Sequence, residues 1–437
     1  MLCAISKEEF LFLVKKHYDV LIVALLFSIG VAFFVSKLAW RKATASSRGY
    51  IPGRLGLLFI GETVPFLSAV KSTGGCYEFI RLRRIRYGKW FKTRVFGKIH
   101  VFVPSTDGAR MILSNDFVKF NKGYMKALLD LRMKVKIVCY LIDLMAFDSM
   151  CCMLMSITDE ALLRQLEKDI TAVSNAIFSA PIMIPGTKYY KGIKARRRIM
   201  EIFKDMIARR RSGEEWPEPE DFLQSLLRRD SYHPDEKLQD PEIMDNLMTL
   251  LISGQATTSA TQMWSVKFLD ENQQVQDILR KEVLSIARSK PEGASVTLED
   301  INRMPYCWKV LKETMRISSV VMWYPRVALA DCFEIKKGWH VNVDAKCIHN
   351  DPELYPDPSK FNPSRFDELL KPYSFIPFAS GPRTCLGINM AKMTMMVFLY
   401  RLTSAYSWTV DDLDTSLQEN AHFPRLRSGC PITLNPL

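Results

Sequence analysis

The segment "PEIMDNLMTLLISGQATTSATQMWSVKFLDEN", Pro241 to Asn272, sets the terms for the rest of the chain. Its apolar positions recur around the whole circumference of a helix, so it reads as one long helix buried on nearly all sides. A helix of that kind must be wrapped by other elements. The chain has the material for this: it has 437 residues, 48% of them hydrophobic and 24% charged, which excludes disorder by composition. Its length alone would allow about three domains. No Gly/Ser linker, repeat or low-complexity tract separates them, and one large unit is expected.

A second stretch carries chemistry: "YSFIPFASGPRTCLGINMAKMTMMVFLYRL", Tyr373 to Leu402. Phe378, Gly381 and Pro382 make a bend, and Gly387 leaves room for the close approach of a flat object. From Ile388 the run is made of helix formers, so Cys385 sits just before a helix N-terminus. Free N–H groups, the helix dipole and Arg383 all favour a thiolate there, ready to serve as a metal ligand or nucleophile. A single cysteine is most often a small buried hydrophobe. The whole spacing, Phe378-x-x-Gly381-x-Arg383-x-Cys385-x-Gly387, argues otherwise, since it would arise by chance at roughly one position in a million.

This spacing resembles the haem-ligand loop of the cytochrome P-450 family, and other stretches follow in the family's order. "LKETMR" places Glu313 and Arg316 on one helix face, and "PDPSKFNPSRF" supplies Arg365. The resemblance implies a mostly α fold with a small β region, with haem b between the long helix and the Cys385 loop. It implies that Cys385 is the axial iron ligand, whose electron donation favours O–O cleavage. Glu313, Arg316 and Arg365 would form a buried structural network, and Arg326 and Arg383 would meet the haem propionates. Within the long helix, "SGQATT" resembles the family's oxygen-binding groove, where small residues let the helix bulge open. Gly254 would open the groove and Thr257 would activate oxygen. Ala256, however, stands where the family usually has an acid, and Thr257 is not itself a proton source. Water held by Ser253, Gln255 or Thr258, or a carboxyl group on the substrate, would have to substitute. The other reading of these small residues is close packing.

The implied reaction inserts one oxygen atom from O2 into a hydrophobic substrate. Electrons come from NADPH through a membrane-bound cytochrome P-450 reductase, with no NADPH site on this chain. The sequence around "SGQATTSATQMWSVKFLDEN" and "FPRLRSGCPITL" is most similar to plant members that oxidise isoprenoid hormones, including abscisic acid, brassinosteroids, gibberellins and strigolactone precursors. A terpenoid or apocarotenoid acid fits the missing acid at Ala256.

Toward the start, residues 1–19 precede an apolar run, 20–40, read as a single membrane anchor rather than a cleaved signal. Basic residues follow within a basic and Pro/Gly hinge, 41–56, and place the catalytic domain, 57–437, in the cytosol at the endoplasmic reticulum membrane. The formal charge of +13 suits anionic lipid and an acidic protein partner; no recognition motif supports nucleic acid. The ten cysteines are scattered without a Cys-x-x-Cys, which excludes a zinc site or disulfide framework and suits reduced thiols.

One region departs from the family. Between Leu131 and Cys151 the family carries a substrate-contacting loop, then a helix with a Trp or His and an Arg at a haem propionate. Here the interval is only "RMKVKIVCYLIDLMAFDSM", and a few residues also look lost after Cys332. A shortened, non-catalytic variant is therefore one alternative. A haem isomerase or dehydratase that consumes no NADPH is another, which Cys385 and Thr257 argue against.

Overall fold

The computed structural model describes residues 51–437, apart from residues 57–59, 71–74, 89, 116–119, 123–136, 178, 180–181, 214–219, 229–237, 292–293, 333, 413 and 419–422. The expected anchor, 20–40, lies outside the described residues. Among the described residues no helix is long and apolar enough to cross a membrane.

The chain opens with strand β1 (Gly53–Arg54) and helices α1 (Thr63–Val70) and α2 (Gly75–Tyr87). The hairpin β2 (Phe91–Val95) and β3 (Lys98–Val103), helix α3 (Thr106–Leu113) and β4 (Phe120–Lys122) follow. Then come α4 (Ile137–Met155), α5 (Glu160–Ile177), α6 (Lys188–Ser212), α7 (Phe222–Arg228) and the long α8 (Asp240–Glu271). Helices α9 (Gln273–Ala287), α10 (Leu298–Asn302) and α11 (Pro305–Ser318) lead into strands β5 (Trp323–Ala328) and β6 (His340–Asp344). The chain closes with α12 (Ala345–His349), α13 (Ile388–Ala405) and the pair β7 (Tyr406–Val410) and β8 (Ile432–Pro436).

The main sheet has the order β1-β2-β3-β6-β5-β4. The last residues of the expected hinge thus enter it, with Gly53 and Arg54 pairing in parallel with Lys92 and Thr93. Beyond this sheet and the antiparallel pair β7–β8, the domain is mainly helical. One hydrophobic core gathers Met263, Trp264 and Leu269 of α8 with Leu279 and Val283 of α9, Val310 and Leu311 of α11, and Met395 and Leu399 of α13. A second joins α4, α5, α6 and α7 to the first half of α8 through Phe147, Leu166, Phe203, Leu223 and Leu247. Helix α8 runs unbroken through both cores, which accounts for apolar residues on all its faces.

Local chemistry fixes the ends of the helices that matter most. Glu242 accepts the backbone N–H of Gln239 at the start of α8, at 2.8 Å. Glu282 of α9 accepts the N–H groups of Tyr306 and Cys307, each at 2.8 Å, so a carboxylate sits on the positive end of α11. Ser319 ends α11 in the left-handed region, with φ of 41°. The described cysteines are all free.

Candidate active site

The Cys385 loop is made by backbone geometry. Gly381 has φ of +80°, and a Cβ built there would lie 2.1 Å from the carbonyl oxygen of Leu113, so only glycine fits between the loop and α3. A short 3-10 turn, Gly381–Arg383, follows, and the N–H of Cys385 returns to the carbonyl of Phe378 at 3.0 Å. Gly387 then caps α13. Apart from its own chain neighbours and helix backbone, the one atom of the described residues within 4 Å of a Cβ built on Gly387 is Sγ of Cys385, at 4.0 Å, so open space lies beside the sulfur. Cys385 is exposed, and Leu386 beside it is 89% exposed. Phe378 and Arg383 are half-buried. Tyr324 lies close by and donates to the carbonyl of Ile376 at 2.5 Å. Its phenol is pushed up, chiefly by burial, with the charge of Cys385 adding to the shift. Arg326, two residues on along β5, is buried and donates to the carbonyl of Pro325 at 3.1 Å.

Helix α13 packs along α8, and Gln262 of α8 donates to the carbonyl of Thr394 at 3.4 Å. On α8 itself, Thr249, Ser253, Thr257 and Thr261 form a ladder of hydroxyls. Each donates to the carbonyl four residues back, at 2.7, 2.7, 2.8 and 3.0 Å. The helix stays continuous here rather than bulging. At Gly254 a built Cβ would meet Cε of Met150 at 2.4 Å, so in this structure the glycine receives a side chain of α4. Gly254 therefore acts as a packing notch, and Thr257 keeps its hydroxyl on Ser253.

Glu313, Arg316 and Arg365 come together. Glu313 and Arg316 are both fully buried and paired two-pronged, at 2.7 and 2.8 Å. Arg316 also donates to the carbonyls of His349 and Pro358, each at 2.8 Å. Arg365 reaches Glu313 at 3.3 Å and the carbonyls of Pro356 and Asp357 at 2.5 and 2.8 Å. Every guanidinium nitrogen of the pair finds an acceptor, which offsets the cost of burying the charges.

The structure adds a charged pair that the sequence does not announce. Asp143 of α4 holds Arg425 two-pronged at 2.8 and 2.9 Å. Arg425 in turn donates to the carbonyl of Ala256 at 3.2 Å and to the hydroxyl of Ser259. A guanidinium, held from behind by the Asp143 carboxylate, thus stands against α8 at the residue where the resemblance leads one to look for an acid. The partners are 282 positions apart, and no local pattern links them.

An exposed sulfur ahead of a helix, glycine-made space beside it and two nearby arginines are a donor set that fits a haem. Cys385 would hold the iron, Phe378 and Gly387 would border the ring, and Arg326 and Arg383 would meet its propionates. Bound there, haem supplies the iron chemistry that activates O2. A helical domain with these parts defines a haem-thiolate oxidoreductase.

The chain belongs to the cytochrome P450 family, whose profile matches residues 135–427. It is 29% identical to a beta-amyrin 28-monooxygenase of Saponaria officinalis over 90% of this chain and 93% of that one. It is 27% identical to abscisic acid 8'-hydroxylase 1 of Arabidopsis thaliana, over 93% and 96% of the two chains. Among solved structures, retinoic acid-bound cyanobacterial CYP120A1 superposes with a TM-score of 0.77 at 25% identity, covering 90% of this chain and all of that one.

Proposed function

We propose that this chain uses O2 and electrons from NADPH, delivered by a cytochrome P450 reductase, to oxidise a terpenoid or apocarotenoid acid such as abscisic acid or a strigolactone precursor. Its relatives support an isoprenoid substrate: they act on abscisic acid and beta-amyrin, and the solved neighbour holds retinoic acid. The observation that carries the acid preference is the carbon side chain of Ala256. With no carboxyl group at that place, a carboxyl group on the substrate can supply the proton that the Thr257 hydroxyl cannot.

Several features support a catalytic domain seated on the endoplasmic reticulum membrane by an anchor at 20–40. The loop before α6 exposes Ile182, Met183 and Ile184 by 47 to 60%, and α1 and α2 expose Val64 and Ile85 by 66 and 71%. Next to that loop α6 presents Lys191, Lys194 and Arg197 to solvent. Apolar side chains beside a basic face suit a bilayer with anionic headgroups.

The test is turnover by the full chain with reductase and NADPH, offered abscisic acid, its methyl ester and beta-amyrin. Product gaining one oxygen atom from the acid, and weaker coupling of electrons to product with the ester, is the expected result. Oxygenation of beta-amyrin alone would overturn the acid preference. Equal coupling with acid and ester would remove the role given to the substrate carboxyl group.

A second reading, a non-catalytic variant, has its own support. The alignment with the beta-amyrin 28-monooxygenase runs over 456 positions, more than the 437 residues of this chain. The relative therefore carries residues without counterparts here, which agrees with a shortened interval between Leu131 and Cys151. Transcript sequencing across that interval decides it, because an intervening exon would restore the longer enzyme.

A further inference from the structure

We propose that His349 is the positioning residue that sets the Cys385 loop against the Glu313–Arg316 core. His349 ends α12 and is fully buried. Its carbonyl takes Nη1 of Arg316 at 2.8 Å, and its ring touches two further segments. Nδ1 lies 3.2 Å from the hydroxyl of Ser319, and Nε2 lies 3.0 Å from the backbone N–H of Ile376.

These contacts fix the ring's protonation. The single hydroxyl proton of Ser319 is used on the carbonyl of Arg316, at 2.8 Å, so the Ser319 oxygen accepts from Nδ1–H. The N–H of Ile376 is a donor, so Nε2 must offer its lone pair. The ring is therefore neutral with its proton on Nδ1, the assignment that satisfies both neighbours. Burial, with Arg316 and Lys346 nearby, disfavours the charged form as well.

The Ile376 end leads directly to the cysteine. The carbonyl of Ile376 accepts from the hydroxyl of Tyr324 at 2.5 Å and from the N–H of Ala379 at 3.2 Å. Phe378, beside Ala379, receives the N–H of Cys385 at 3.0 Å. Phe375 packs its ring on that of His349 at 5.5 Å. One imidazole thus ties the end of α11 to the strand of backbone from which the sulfur is presented. Ile376 is 2% exposed, so without the imidazole its N–H would have to move to find another acceptor, and the loop would move with it.

The inference rests on the reading of Cys385 as the iron ligand, and its test separates the two. His349→Leu keeps bulk but removes both ring hydrogen bonds. His349→Gln restores an acceptor, and Ile348→Ala, at a buried neighbour, controls for general destabilisation. In the haem-loaded full chain, the red-shifted Soret band of the reduced carbon monoxide complex reports thiolate ligation. Its share is expected to fall about tenfold in His349→Leu, the loss that one orphaned buried donor produces, while His349→Gln and Ile348→Ala keep most of it. In the haem-depleted full chain, iodoacetamide labelling of the Cys385 peptide is expected to change in rate by about the same factor in His349→Leu alone.

An unchanged band and unchanged labelling in His349→Leu would overturn the proposal. Equal effects in Ile348→Ala would overturn it too, by showing a generic packing defect. If the unsubstituted chain shows no such band, the ligand reading fails, and the labelling still decides the role of His349.

Discussion

The two sides of the candidate site are built by different means. Behind Cys385, the loop, α11 and α12 are held by fully buried polar groups, the charged pair Glu313–Arg316 and the neutral ring of His349, each of them hydrogen-bonded. Along α8, by contrast, Ser253 is exposed, and it and Thr257 donate their hydroxyls to carbonyls of their own helix. Where α8 meets other elements near Thr257, the described contacts include a methionine in a glycine notch and Arg425, which is held by Asp143 and donates to the carbonyl of Ala256. Geometry on the Cys385 side is thus fixed by contacts between separate elements, whereas the hydroxyls of Ser253 and Thr257 lean on their own helix.

The contrast can be broken most forcefully at Glu313. Glu313→Gln leaves the guanidinium of Arg316 buried without its carboxylate, and a loss of about 3 to 5 kcal/mol is expected in urea unfolding. A loss below about 1 kcal/mol would mean that the buried side is no more rigid than the other. A smaller effect is expected at the notch. Gly254→Ala gains helix propensity but must displace the flexible end of Met150, so its net effect should stay within about 1 kcal/mol. A double-mutant cycle with Met150→Ala, which alone should cost about 2 to 5 kcal/mol, should show the two coupled. If the two effects simply add, Met150 is not what fills the notch.

Acid sharpens the comparison further. His349 and His100 are each depressed from the usual histidine value to about 3, burial being the main cause in both. Above pH 6.5 the rings are neutral in folded and unfolded chain alike, and they contribute no pH dependence. As pH falls from about 6.5 toward 3 the unfolded chain takes up protons that the folded one refuses, so stability falls by roughly 1.4 kcal/mol per pH unit for each ring. His349→Gln should flatten that slope by about one proton, read from unfolding midpoints between pH 6.5 and 4.5. The smallest effect is expected at Ser253→Ala, where an exposed hydroxyl serves its own helix and stability should change by less than about 0.5 kcal/mol. A larger loss would show that the Thr257 side is more tightly built than its contacts indicate.

What the sequence reveals follows the same division. The cysteine loop is legible because its demands are local: a glycine where a Cβ would strike Leu113, and a cysteine just ahead of a helix. Glu313 and Arg316 are legible as neighbours on one helix face. His349 is not, because its role depends on Ile376 and Ser319, which are 27 and 30 positions away. Asp143 and Arg425 are hidden for the same reason. At Gly254 the sequence allows either a groove or close packing, and only the fold shows that Met150 arrives there.

The central claim is that Cys385 binds haem iron as a thiolate in this chain as it stands. The direct measurement is the reduced carbon monoxide difference spectrum of the full chain beside Cys385→Ser. A red-shifted Soret band present in the first and lost in the second is the predicted result. Absent haem, or a band that the serine variant keeps, would contradict it.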